Sequence, residues 1–116
     1  MDQETLNGFR RRLDEERANI GRQLIDMGID TDTGAPDNVA FEQGFADSGQ
    51  ATAEKARVLS MGEGLIEQLH EVDGALERIE QGTYGRCENC GKDIPVERLE
   101  ARPVARLCMA CKKLLG

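Results

Sequence analysis

The sequence predicts a mainly α protein: an antiparallel helical hairpin (a short coiled coil) followed by a small four-cysteine zinc finger. Three observations predict it. Apolar residues recur at helical spacing in two long stretches. A segment dense in Gly, Asp, Thr and Pro separates those stretches. All four cysteines lie in the last quarter of the 116 residues, in two Cys-x-x-Cys pairs.

The first helix is expected over residues 4–27. Leu6, Leu13, Ile20 and Met27 recur every seven residues, Phe9 follows Leu6 by three, and Leu24 follows Ile20 by four. That spacing lays one apolar stripe along a helix. Residues 28–38, "GIDTDTGAPDN", end it with turn formers. Residues 39–46, "VAFEQGFA", are expected to add a helical turn with Phe41 and Phe45 on one face.

The second helix is expected from Ser48 to Gln81. Val58, Leu65, Val72 and Ile79 are again seven apart, with Leu69 and Leu76 between them. At about 1.5 Å per residue this is a rod of roughly 50 Å. Gly62, Gly64 and Gly74 lie inside it, and each weakens a helix by up to ~1 kcal/mol relative to Ala. Two stripes joined by one connection seal against each other as a hairpin. The first helix is the shorter, so the connection is expected to cover the outer end of the second. The predicted organisation is a hairpin over residues 1–82, with a tip loop at about 28–47, and a finger over 83–116.

Composition narrows the class further. The chain has no Trp, one Tyr, three Phe and 13 Gly, so its core is thin and a staple is expected. No apolar run approaches the ~20 residues of a membrane span. The start, "MDQETLNGFRRR", lacks the apolar stretch of a signal peptide. A cytoplasmic protein with reduced thiols and no membrane contact is expected. Charge is split: residues 1–84 hold 18 Asp/Glu against 8 Lys/Arg, net −10, and residues 85–116 hold 4 against 7, net +3. An acidic arm of that size is repelled by nucleic-acid phosphates, so sequence-specific DNA binding is not expected.

The cysteines follow the spacing C-x2-C-x17-C-x2-C: Cys87, Cys90, Cys108 and Cys111. Two residues between thiols let one chain reversal present both sulfurs to a tetrahedral ion. The 17 residues between the pairs bring the second pair round. Gly91 sits where the chain turns back. One Zn²⁺ on four thiolates carries net −2, and Arg86, Lys92, Lys112 and Lys113 flank it as counter-charge. Four protein ligands leave no open position, so the zinc is expected to be structural. No enzyme is predicted. His70 is the one histidine, on the flank of the apolar stripe. The carboxylates spread over helix surfaces, and no Gly-rich phosphate loop occurs.

Residues 83–114, "TYGRCENCGKDIPVERLEARPVARLCMACKKL", resemble the C4-type zinc finger of the DksA/TraR family of bacterial transcription regulators. The resemblance rests on Tyr84-Gly85, Gly91, Ile94-Pro95, Arg98-Leu99, Pro103 and the Cys108/Cys111 pair followed by Lys112. It implies a protein that binds RNA polymerase rather than promoter DNA. By the same resemblance the coiled coil enters the secondary channel, an acidic tip approaches the active centre, and the finger docks at the channel rim. An ungapped count from Cys87 places the family's D-x-x-D-x-A tip motif on Gly44, Asp47 and Gly49. Asp47 is kept, and the expected tip comprises Phe45, Asp47 and Gly49. The family's guanosine tetraphosphate contacts fall on Gly64, Glu71 and Lys112. Lys112 alone keeps its residue type, so weak or no response to that nucleotide is expected. By the same resemblance, a chain that starts almost on its first helix and stops at Gly116 is expected to lack the C-terminal helix of longer members. A monomer is expected. Two other readings compete: a zinc-stabilised adaptor that binds a different protein through the hairpin, and a zinc-ribbon nucleic-acid binder. Capture of polymerase discriminates the first, and a salt-dependent shift of DNA alone the second.

Overall fold

The computed structural model describes residues 1–29 and 51–115. These form four helices: α1 (Gln3–Asp26), α2 (Ala51–Gln81), α3 (Val96–Ala101) and α4 (Met109–Leu115). Arg86 and Asp93 make an isolated antiparallel bridge, and no strand occurs among the described residues. No helix among them is long and apolar enough to cross a membrane. Residues 39–46 and the expected start of the second helix at Ser48 lie outside the described residues.

Local chemistry sets the helix ends. The Asp2 carboxylate accepts from the Thr5 N–H at 2.8 Å, so Asp2 caps α1 and starts it one residue before the expected Glu4. Both long helices stop on glycine at positive φ, Gly28 at 75° and Gly82 at 77°. In α1 the N–H of Gly28 donates to Ile25 and that of Ile29 to Leu24; in α2 Gly82 donates to Ile79 and Thr83 to Arg78. This paired pattern satisfies carbonyls that the helix would leave bare.

The described chain divides into two compact units, Met1–Glu16 with Glu71–Gly116, and Arg17–His70. In the second unit Ile20, Leu24, Ile29 and Leu69 are buried. Ile29 lies so close to Gly62 that any Cβ there would overlap its side chain. His70 is exposed.

In the first unit Phe9, Leu13, Val72, Ala75, Ile79, Tyr84 and Leu99 form the core. The Phe9 and Tyr84 rings meet at 5.7 Å, tilted by 54°. Arg10 pairs with Glu80 at 3.2 Å, and Arg12 donates to the Glu100 carbonyl at 2.8 Å. The first end of α1 therefore packs beside the last end of α2, the antiparallel pairing of a hairpin.

Of the expected stripe residues, Leu6, Met27, Val58, Leu65 and Leu76 are half-buried, and beside the last of them a smaller residue is buried instead. Ala75 is fully buried while Leu76 is half-buried. Glu71, Ala75 and Arg78 share one helix face, being four and seven apart. Arg102 pairs with Glu71 at 3.4 Å, and Arg78 donates to the Val104 carbonyl at 3.4 Å. The segment after α3 thus lies across this face and covers Ala75, shifting the buried side away from Leu76.

Candidate metal centre

The centre is assembled from two turns. In the first, the Gly91 N–H donates to the Cys87 carbonyl at 3.0 Å and the Cys87 N–H to the Lys92 carbonyl at 2.8 Å. Gly91 has φ of 75°, so the expected reversal after the first pair needs a residue without Cβ. The second pair straddles the start of α4, where the Lys112 N–H donates to the Cys108 carbonyl at 2.9 Å.

The stretch between the pairs is more than a loop. It holds α3, which starts behind Pro95 in extended conformation (φ −57°, ψ 142°). Proline suits this place because the first helical turn asks little of its missing N–H. Leu99 and Ile94 are buried, and Ala105 with them. The Arg98 guanidinium donates to the Leu107 carbonyl at 3.1 Å, next to Cys108. The buried Tyr84 hydroxyl donates to the Pro103 carbonyl at 2.8 Å, and burial pushes its pKa up to about 12. The Glu88 N–H donates to the Arg106 carbonyl at 2.9 Å, and the Glu88 carboxylate lies 4.0 Å from the Arg78 guanidinium of α2. These bonds bring two cysteine pairs, 17 residues apart, to one place.

The ligand atoms of Cys87, Cys90, Cys108 and Cys111 all lie within 4.8 Å of one another. A tetrahedral ion with Zn–S of about 2.3 Å holds its sulfurs about 3.8 Å apart. The Cys90 and Cys108 sulfurs are 3.8 Å apart. Four thiols at this spacing fit one Zn²⁺ with every coordination position filled by protein, so the cofactor is one structural zinc. Cys87 and Cys111 are buried, Cys108 is half-buried and Cys90 is exposed. As free thiols they are already biased toward anions at two positions. Backbone N–H groups of Cys90 and Cys108 hold Cys87 down to about 6, and that of Cys111 lowers Cys108. The Asn89 amide lowers Cys111 in turn, but hydrogen bonds with Cys108 and the other sulfurs, together with burial, outweigh it and push Cys111 up to about 12.

The expected tip residues Phe45, Asp47 and Gly49 lie outside the described residues. Lys112 is exposed on α4 and lines a cavity of about 200 Å³ with Glu71, Arg98, Arg102 and Arg106. Two of the three positions matched to nucleotide contacts, Glu71 and Lys112, thus share one hollow. Arg102 and Asn89 escaped the sequence reading. The Asn89 amide reaches the Cys111 sulfur at 3.3 Å. Its signal was present as a polar side chain inside the first Cys-x-x-Cys pair.

The family described as the prokaryotic dksA/traR C4-type zinc finger matches residues 82–114. An uncharacterized protein of Aquifex aeolicus is 35% identical over 111 residues, covering 96% of this chain and 76% of that protein. The RNA polymerase-binding transcription factor DksA of Escherichia coli is 44% identical over 46 residues, covering 40% of this chain and 30% of that protein. Transcription factor DksA2 from Pseudomonas aeruginosa, a solved structure, aligns with a TM-score of 0.77 at 24% identity, over 97% of this chain and 84% of that one. At that identity it shows a shared fold. Tyr84, Gly91, Pro95, Arg98, Leu99 and the four cysteines each have a physical part in the finger that carries the match. The chain belongs to the DksA/TraR family of C4-type zinc-finger proteins.

Proposed function

We propose that this chain is a transcription regulator that binds RNA polymerase through the secondary channel. Residues 83–116 act as the docking module at the channel rim, and residues 1–82 as the hairpin that enters it. The tip, with Phe45, Asp47 and Gly49, acts near the active centre. The observation that carries this reading is a DksA/TraR finger built against the base of two long antiparallel helices. The name of the E. coli relative, an RNA polymerase-binding factor, supports it. So does charge: an acidic arm, net −10 over residues 1–84, suits a channel that holds catalytic metal and basic side chains. The reading places the protein in the cytoplasm, as a monomer, with no sequence-specific DNA contact.

The test is capture of the cognate core polymerase by the purified chain, followed by transcription in vitro with and without it. Capture together with a change in transcript yield is expected. Failure to capture polymerase would favour the adaptor reading. Asp47→Asn separates tip chemistry from docking: Asp47 directly precedes the expected second helix, with Gln50 three residues on as in a capping box, and Asn caps a helix about as well as Asp but carries no charge. It should still compete for polymerase but leave transcription unchanged. Normal regulation by Asp47→Asn would remove Asp47 from the mechanism.

A further inference from the structure

We infer that Asn89 is an outer-sphere residue of the zinc site. Its side-chain amide donates to the Cys111 thiolate, which locks the second cysteine pair in register with the first and offsets part of the thiolate charge.

The Asn89 Nδ2 atom lies 3.3 Å from the Cys111 sulfur, across 22 residues of sequence. A metal-bound thiolate has no proton to give, so it can only accept. The opposite amide orientation would turn the Asn89 oxygen toward a sulfur anion, and charge selects the N–H orientation. Asn89 is held from both sides, sitting between Cys87 and Cys90 in the turn closed by the Gly91 N–H and Cys87 carbonyl at 3.0 Å. Cys111 is buried, so water competes poorly for its sulfur.

Four thiolates on one Zn²⁺ leave net −2, and the sequence suggested flanking cations as the compensation. Arg86, Lys92, Lys112 and Lys113 are all exposed, where solvent and salt screen them. The amide is neutral but in direct contact. Outer-sphere donors of this kind fix ligand orientation, and their removal typically lowers metal affinity about tenfold to a hundredfold.

The experiment measures zinc affinity of the full chain by competition with a chromophoric chelator, for the wild type, Asn89→Ala and Asn89→Asp. Asp keeps the shape but replaces the donor with an anion. The expected order is wild type, then Ala lower by about tenfold to a hundredfold, then Asp lower still. Cobalt substitution supplies a readout that packing does not move. Losing a donor raises the energy of the sulfur lone pairs, so the thiolate-to-cobalt charge-transfer band of Asn89→Ala shifts to lower energy. The wild-type protein loaded with spin-active cadmium gives a test without any variant: scalar coupling between the metal and the Asn89 side-chain amide proton. Equal zinc affinity in all three proteins, an unshifted cobalt band, or no cadmium coupling to that amide would each overturn the inference.

Discussion

Tyr84 shows how one side chain ties two parts of the finger unit. Its ring meets Phe9 of α1, and its hydroxyl bonds the Pro103 carbonyl at 2.8 Å. Tyr84→Phe removes the bond and leaves a buried carbonyl unpaired, so a loss of about 1 to 2 kcal/mol is expected in denaturant unfolding of the zinc-loaded protein. The folded state also binds the phenolic proton more tightly than the unfolded chain, with a pKa raised from 10.0 to about 12. That contribution is complete below pH 10 and is lost as pH rises toward 12. The chain has one Tyr and no Trp, so phenolate absorbance reports this residue alone. A midpoint near 10 in the folded protein would contradict the burial. Glu71 is the second informative residue. It pairs with Arg102 at 3.4 Å and lines the same cavity as Lys112. Gly64 has no side chain and Glu71 is a carboxylate, at two positions matched to the family's nucleotide contacts, so little binding of guanosine tetraphosphate is expected although Arg98, Arg102 and Arg106 also line the hollow. Gly64→Arg with Glu71→Lys should raise its affinity by about tenfold or more, since that is only ~1.4 kcal/mol. Tight nucleotide binding by the unmodified chain, measured by calorimetry, would refute the prediction.

At the scale of the helix, α2 carries glycines that look alike in the sequence and differ in place. A Cβ on Gly62 would run into Ile29, whereas one on Gly64 meets nothing within 4 Å. Gly64→Ala should therefore stabilise the protein by up to ~1 kcal/mol through helix propensity alone. Gly62→Ala gains the same propensity but must displace a buried Ile side chain, at a cost of about 1 to 3 kcal/mol. Thermal unfolding should rank Gly64→Ala above the wild type and Gly62→Ala below it. The reverse order would mean that Ile29 does not pack as described. Close approach at Gly62 also explains why a residue that weakens the helix sits in its middle.

For the molecule as a whole, the metal is expected to decide whether residues 84–115 have a structure. The finger's own buried set is small, chiefly Tyr84, Ile94, Leu99 and Ala105 beside the cysteines, and too thin to fold alone. Zinc at four thiolates contributes an apparent ~10–16 kcal/mol in small metal-folded modules. Chelation, or Cys108→Ser, should therefore open the amides of residues 84–115 to hydrogen exchange. Loss of the finger also uncovers the Ala75 and Arg78 face of α2, so the base of the helices should exchange faster too. Full protection of these amides after zinc removal would show a self-sufficient finger.

The sequence by itself determined the two long helices, their antiparallel pairing and the four-cysteine set. Each rests on information close in the chain: apolar residues every three to four positions, glycine and aspartate at helix ends, and thiols two residues apart. The tertiary structure alone decided the rest. The 17-residue link read as a loop because α3, at six residues, is too short for periodicity to reveal. Ala75 replaced Leu76 in the core because the segment around Arg102 and Val104 covers that flank, a contact made across 26 to 31 positions of chain. Gly62 changed from a weakness to a fitted space because Ile29 lies against it. Asn89 became part of the metal centre because the fold carries Cys111 to its amide. Periodicity and spacing are local and survive in one dimension; which flank is covered, and which donor meets which sulfur, depends on residues brought together only by the fold.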